Sequence, residues 1–75
     1  MLSEFEIFVI KKVKEFRLQQ KLSQADLAEK IDVSSGFIGK VESLKSNSKY
    51  NLNHLNKIAK GLNINPKDLF PNTYL

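Results

Sequence analysis

Between residues 34 and 60 the chain carries five lysines, Lys40, Lys45, Lys49, Lys57 and Lys60, against one carboxylate, Glu42. The flanking segments cancel. Residues 1–33 set Lys11, Lys12, Lys14, Arg17, Lys21 and Lys30 against Glu4, Glu6, Glu15, Asp26, Glu29 and Asp32, and residues 61–75 set Lys67 against Asp68. The formal net charge of +4 therefore comes entirely from the middle of the chain, which is also rich in Ser and Asn and contains Tyr50 and His54. Ammonium, hydroxyl and amide groups gathered in one segment bind phosphate oxygens and displace the counterions condensed on a polyanion. An acidic protein partner and a plainly solvated lysine face are the competing readings.

Catalytic chemistry has little to build on. The sequence has no cysteine and a single histidine, which excludes disulfides, thiolate nucleophiles and a Cys/His metal cluster. It also lacks a glycine-rich phosphate loop, a dinucleotide fingerprint and the paired histidines of a zinc hydrolase. Neither an enzyme nor a cofactor is expected. The longest apolar run, Ile7 to Ile10, is far too short to span a bilayer, and Glu4 and Glu6 precede it where a signal peptide would be basic. The expectation is a cytoplasmic protein without a membrane partner. His54 reads as a solvated helical residue, and Lys57 and Lys60 as solubilising groups.

A chain of 75 residues has room for one domain, and its 3 glycines and 2 prolines argue against many turns, so an all-helical fold is expected. Phe5, Val9, Val13 and Phe16 recur at helical spacing after Ser3, with Glu6 in place for a capping box, which predicts a helix over about 4–19. Ile7, Phe8 and Ile10 widen its apolar surface, either as core or as a surface for a second subunit. Ser23 caps a second helix, 24–31, with Leu27, Ala28 and Ile31 inward, and Asp32 closes it. Ser34 caps a third, 35–43, with Phe37, Ile38 and Val41 on its buried side. Residues 44–51 form a basic loop. Asn51 then caps a fourth helix, 52–62, with Leu52, Leu55, Ile58, Ala59 and Leu62 on one face, and Asn63 closes it. Asn65 and Pro66 open a short fifth helix, 66–70, which Pro71 ends.

The most specific signal is the run from Gln24 to Glu42, QADLAEKIDVSSGFIGKVE. Two helices meet across a tight turn, Ala28 is small enough for their close approach, and Leu27, Ile31, Val33, Ile38 and Val41 face inward. The third helix is then held outward on a support. Together with Lys11 to Phe16, Leu22-Ser23-Gln24, Leu55 to Leu62 and Asp68-Leu69-Phe70, this order resembles the lambda-repressor-like (Xre or Cro-type) helix-turn-helix family over nearly the whole chain.

The resemblance implies a compact five-helix domain spanning 1–75, with the third helix entering the major groove of double-stranded DNA. It implies that Ser35, Gly36, Gly39 and Lys40 face the bases, that Gln24 binds phosphate and braces the third helix, and that Ser34 faces the backbone. It further implies that Arg17 and Glu42 form a pair tying the first helix to the third. Lys45, Lys49, Tyr50 and Asn51, at the N-terminus of the fourth helix, would complete a phosphate clamp. Lys21, Asp32 and Asn63 stand where the family often has glycine. Related regulators commonly dimerise, and Ile64, Phe70, Tyr74 and Leu75 offer an apolar patch for a homodimer. The function implied is sequence-specific transcriptional regulation with no small-molecule effector required. The alternative is an antitoxin- or adaptor-like protein-interaction module.

Overall fold

A computed structural model describes all residues from Met1 to Leu75. Four α-helices, α1 (Glu4–Gln19), α2 (Gln24–Ile31), α3 (Ser35–Ser43) and α4 (Leu52–Leu62), precede one 3-10 turn, Pro66–Leu69. The fifth helix expected over 66–70 is thus only this single turn. Asn65 Oδ1 accepts from Lys67 N–H at 3.1 Å, and the Asp68 and Phe70 N–H groups each donate to the carbonyl three residues back. Phe70 leaves the turn at φ −109°, ψ 152° because the ring of Pro71 disfavours the helical region for the residue before it.

Each helix starts on a side chain that satisfies its free N–H groups. Ser3 with Glu6 and Ser23 with Asp26 form reciprocal capping boxes, and Ser34 accepts from Phe37 N–H at 3.1 Å. The C-terminal ends turn through left-handed residues, Asp32, Leu44 and Asn63, and Lys21 takes the same conformation before α2. Lys21 therefore makes the turn expected of a glycine despite its side chain, at a cost of about 1 kcal/mol.

Val9, Ile10 and Val13 of α1, Leu27, Ala28 and Ile31 of α2, Ile38 and Val41 of α3, and Leu55, Ile58 and Leu62 of α4 form one core, with Leu69 sealing it. Two assignments change. The buried face of α1 is centred on Val9, Ile10, Val13 and Arg17, while Phe5 is 40% exposed and Phe16 half-buried. Arg17 joins Val9, Ile10 and Val13 inside, and Phe16 packs against the edge of the core. Leu52, expected inside, is 80% exposed because it occupies the first turn of α4, beyond the reach of the core.

Candidate nucleic-acid interface

The turn between α2 and α3 is three residues long. Asp32 at φ 59° lets Val33 N–H bond back to Ala28 carbonyl at 3.0 Å, and Val33 packs against the core. This reverses the chain, and Ser34 opens α3 at once. At about 100° per residue, Gly36, Lys40 and Ser43 lie within about 60° of each other on α3, opposite Ile38 and Val41. The first three are exposed and the last two fully buried. Ser35 is exposed and Gly39 half-exposed at the margin of the stripe. The four expected base-facing positions therefore share one accessible side of α3.

A buried ionic network fastens one shoulder of α3. Arg17 Nε donates to Glu42 Oε2 at 2.9 Å and Nη2 to Oε1 at 2.8 Å, while Nη1 donates to the Leu22 carbonyl at 2.7 Å. The guanidinium thus joins α1, the segment before α2 and the end of α3, and the bond to Glu42 holds it further in its charged form. Planar bidentate geometry satisfies both carboxylate oxygens, which a buried ion needs. Gln24 adds a third bond, Nε2 to Glu42 Oε1 at 3.1 Å. Its amide oxygen lies 3.4 Å from the place a Cβ on Gly39 would occupy, so the side chain lies against α3 at Gly39, where a methyl group would make an ordinary contact. Gln24 thus links the start of α2 to Glu42 at the end of α3, and one amide proton remains to give.

The other shoulder of α3 carries Phe37. Its ring packs against His54 at 5.1 Å and Tyr50 at 6.1 Å. His54 is the third residue of α4, whose N-cap Asn51 accepts from His54 N–H at 2.7 Å. The N-terminal ends of α2 and α4 consequently flank the exposed stripe, one beside Gly39 and one beside Phe37. Ser34 lies at the start of α3, its hydroxyl oxygen engaged as a cap and its proton still available.

The α3–α4 loop departs from expectation in part. Lys45 is exposed and makes no ion pair, whereas Lys49 Nζ sits 2.7 Å from Glu6 Oε2 at the start of α1. That ammonium, with the Ser3 N–H, lowers the Glu6 carboxyl to about 2. Tyr50 is not a surface residue. It is 8% exposed, and its hydroxyl is buried without a partner. Burial, with Glu42 nearby, raises its pKa, so the phenol is a neutral core group and cannot reach a phosphate. The loop hydroxyls have structural duties too: Ser43 and Ser46 both donate to the Lys40 carbonyl, closing the end of α3. Lys57 and Lys60 gather with Lys30 around an open hollow between α2 and α4, not on the stripe of α3. Charge that is contiguous along the chain thus divides into separate surfaces.

His54, expected to be a solvated helical residue, is half-buried and caps the start of α4 with its ring. The signal was available three residues after the Asn51 cap, at the position where a capping box puts its second side chain, although glutamate or glutamine is usual there.

The helix-turn-helix family model matches residues 13–69. The chain belongs to the lambda-repressor-like helix-turn-helix family. Among solved structures, this helix-turn-helix protein is similar to the restriction-modification controller protein C.AhdI from Aeromonas hydrophila, at 30% identity and a TM-score of 0.73, covering 85% of this chain and 94% of that one. It is likewise similar to a point mutant of the restriction-modification controller protein C.Esp1396I, at 31% identity and a TM-score of 0.74, with 87% and 80% covered. A hypothetical transcription factor, NHTF from Neisseria, shares the fold at 21% identity and a TM-score of 0.73 over 95% and 86% of the two chains. No curated protein sequence matches the chain. No helix is long and apolar enough to cross a membrane.

Proposed function

We propose that this helix-turn-helix protein is a transcriptional regulator that binds double-stranded DNA in a sequence-specific manner, with α3 in the major groove. The observation that carries this reading is the exposed stripe Ser35, Gly36, Gly39 and Lys40, held away from the core by the buried Arg17–Glu42 pair and flanked by two capped helix N-termini. Lys40 is the long side chain on the stripe and suits guanine O6 and N7. In this reading Gln24, Ser34, Lys45 and Asn51 grip the backbone on either side, and Lys49 joins them when phosphate displaces Glu6. The two relatives near 30% identity are restriction-modification controller proteins, which supports a regulator rather than an enzyme.

The protein acts as a homodimer in this reading. Exposed Tyr74 and Leu75, with half-buried Ile64 and Phe70, offer the apolar patch that a second copy would cover. Half-sites then lie roughly 34 Å apart, one duplex turn. The test is site selection from a random duplex pool, followed by titration of selected and random duplexes with wild type and Lys40→Ala. The expected result is a larger loss on the selected site. Equal loss on both would remove Lys40 from base reading, and no binding to any duplex at low salt would refute the function.

A further inference from the structure

His54 is held in a single orientation. Its Nδ1 accepts the Asn51 N–H at 3.1 Å, completing a reciprocal capping box at the start of α4. A ring nitrogen that accepts a hydrogen bond carries no proton, so in the neutral imidazole the proton sits on Nε2. Nε2 makes no bond within the protein. Tyr50 supplies the one buried side-chain polar atom without a partner, so Nε2 is open to solvent. Phe37 at 5.1 Å and Tyr50 at 6.3 Å fix the plane of the ring. Phe37 lies about 60° around α3 from Lys40, on the shoulder next to the exposed stripe. A fixed tautomer, a fixed plane and an unused donor thus coincide beside the recognition surface.

We propose that His54 is a phosphate-binding residue of the DNA interface, with Nε2–H presented as a pre-oriented donor to the backbone strand passing the N-terminus of α4. This rests on the DNA-binding reading above. Backbone rather than base is the expected acceptor because His54 stands to the side of α3, where the wall of a groove would run, and not on the stripe that faces its floor. A neutral donor adds affinity without displacing a counterion. Its loss is therefore expected to weaken binding by about three- to tenfold, the worth of one net hydrogen bond, and to leave the salt dependence unchanged. Loss of a lysine contact would instead make the slope shallower by about 0.9.

The test follows the His54 ring by 15N NMR in the full chain, free and bound to a selected duplex, and compares binding of wild type, His54→Ala and His54→Gln by fluorescence anisotropy at several salt concentrations. Glutamine keeps both an acceptor for Asn51 N–H and a donor, so it is expected to bind within about threefold of wild type. The expected NMR result is an Nε2–H tautomer whose proton becomes protected from exchange on DNA, a measurement that does not depend on any variant folding. An Nδ1–H tautomer, an Nε2 proton that exchanges as fast in the complex as outside it, or wild-type affinity in His54→Ala overturns the proposal while DNA binding by the wild type stands. Failure of the wild type to bind any duplex overturns the DNA-binding reading itself, and the role of His54 with it.

Discussion

Gly36 separates stability from recognition. It lies on the exposed stripe of α3, and a Cβ built there meets nothing nearer than Ser34 Oγ at 3.9 Å. Its backbone is ordinary right-handed helix, since no glycine in the chain has positive φ. Alanine is therefore accommodated without strain, and glycine at an exposed helical position is about 0.8–1.0 kcal/mol less favourable than alanine. Gly36→Ala is expected to stabilise the free protein by that amount, raising Tm by about 4–8 °C for a domain of this size. In the proposed complex with DNA the same methyl group would meet a closely approaching surface. Overpacking of a tight contact costs about 1–3 kcal/mol, so affinity for a selected site is expected to fall by roughly 5- to 150-fold. Thermal unfolding by circular dichroism and a fluorescence titration on one preparation read the two effects together. A more stable variant with unchanged affinity would show that DNA does not approach α3 at Gly36. A lower Tm would show that the position is not the open helical site described.

Glu42→Ala removes the acceptor of three hydrogen bonds and strands Arg17 in the interior, a loss of about 3–5 kcal/mol from a chain whose whole stability is roughly 4–11 kcal/mol. Chemical denaturation should find it largely unfolded or close to it, and a cost below about 1 kcal/mol would mean that the pair is solvated. Lys21→Gly relieves a left-handed residue at φ 58° and is expected to raise stability by up to about 1 kcal/mol, with a drop in Tm counting against that backbone conformation. Glu6→Gln releases Lys49 from its 2.7 Å partner, so DNA affinity should increase, whereas Lys49→Ala should make the salt dependence shallower by about 0.9; an unchanged slope in Lys49→Ala takes Lys49 out of the clamp. The Glu6 carboxyl, lowered to about 2 from 4.5 by Lys49 and Ser3, contributes stability that is present above about 4.5 and lost as the pH falls through about 2. An NMR titration of Glu6 with its midpoint near 4.5 would mean that the Lys49 contact does not persist in solution.

Local chemistry wrote the helices into the sequence. Ser3, Ser23, Ser34 and Asn51 each offer a short side chain able to satisfy free N–H groups, and each is an N-cap in the structure. The spacing of Leu27, Ala28, Ile31, Ile38 and Val41 likewise predicts the surfaces along which α2 and α3 bury each other. The Arg17–Glu42 contact was legible only through family resemblance, because nothing local links residues 25 positions apart. The exposed stripe of α3 is the complement of its buried face and follows from the same periodicity.

Other features depended on how the helices are set against one another. A lysine count along the chain says nothing of direction, so only the packed structure turns Lys49 to Glu6 and Lys57 and Lys60 to Lys30, and leaves Lys40 and Lys45 exposed without an acidic partner. Tyr50 looked like a surface group in a polar loop, yet the space between Phe37, His54 and the core takes its ring inside. Left-handed turns fell on Lys21, Asp32, Leu44 and Asn63 rather than on any glycine, because tertiary contacts can outweigh a local cost of about 1 kcal/mol. Capping and periodicity act within a few residues and were determined by the sequence alone. The orientation of a charge, the burial of a phenol and the free face of an imidazole depend on neighbours remote in the chain, and only the tertiary structure decided them.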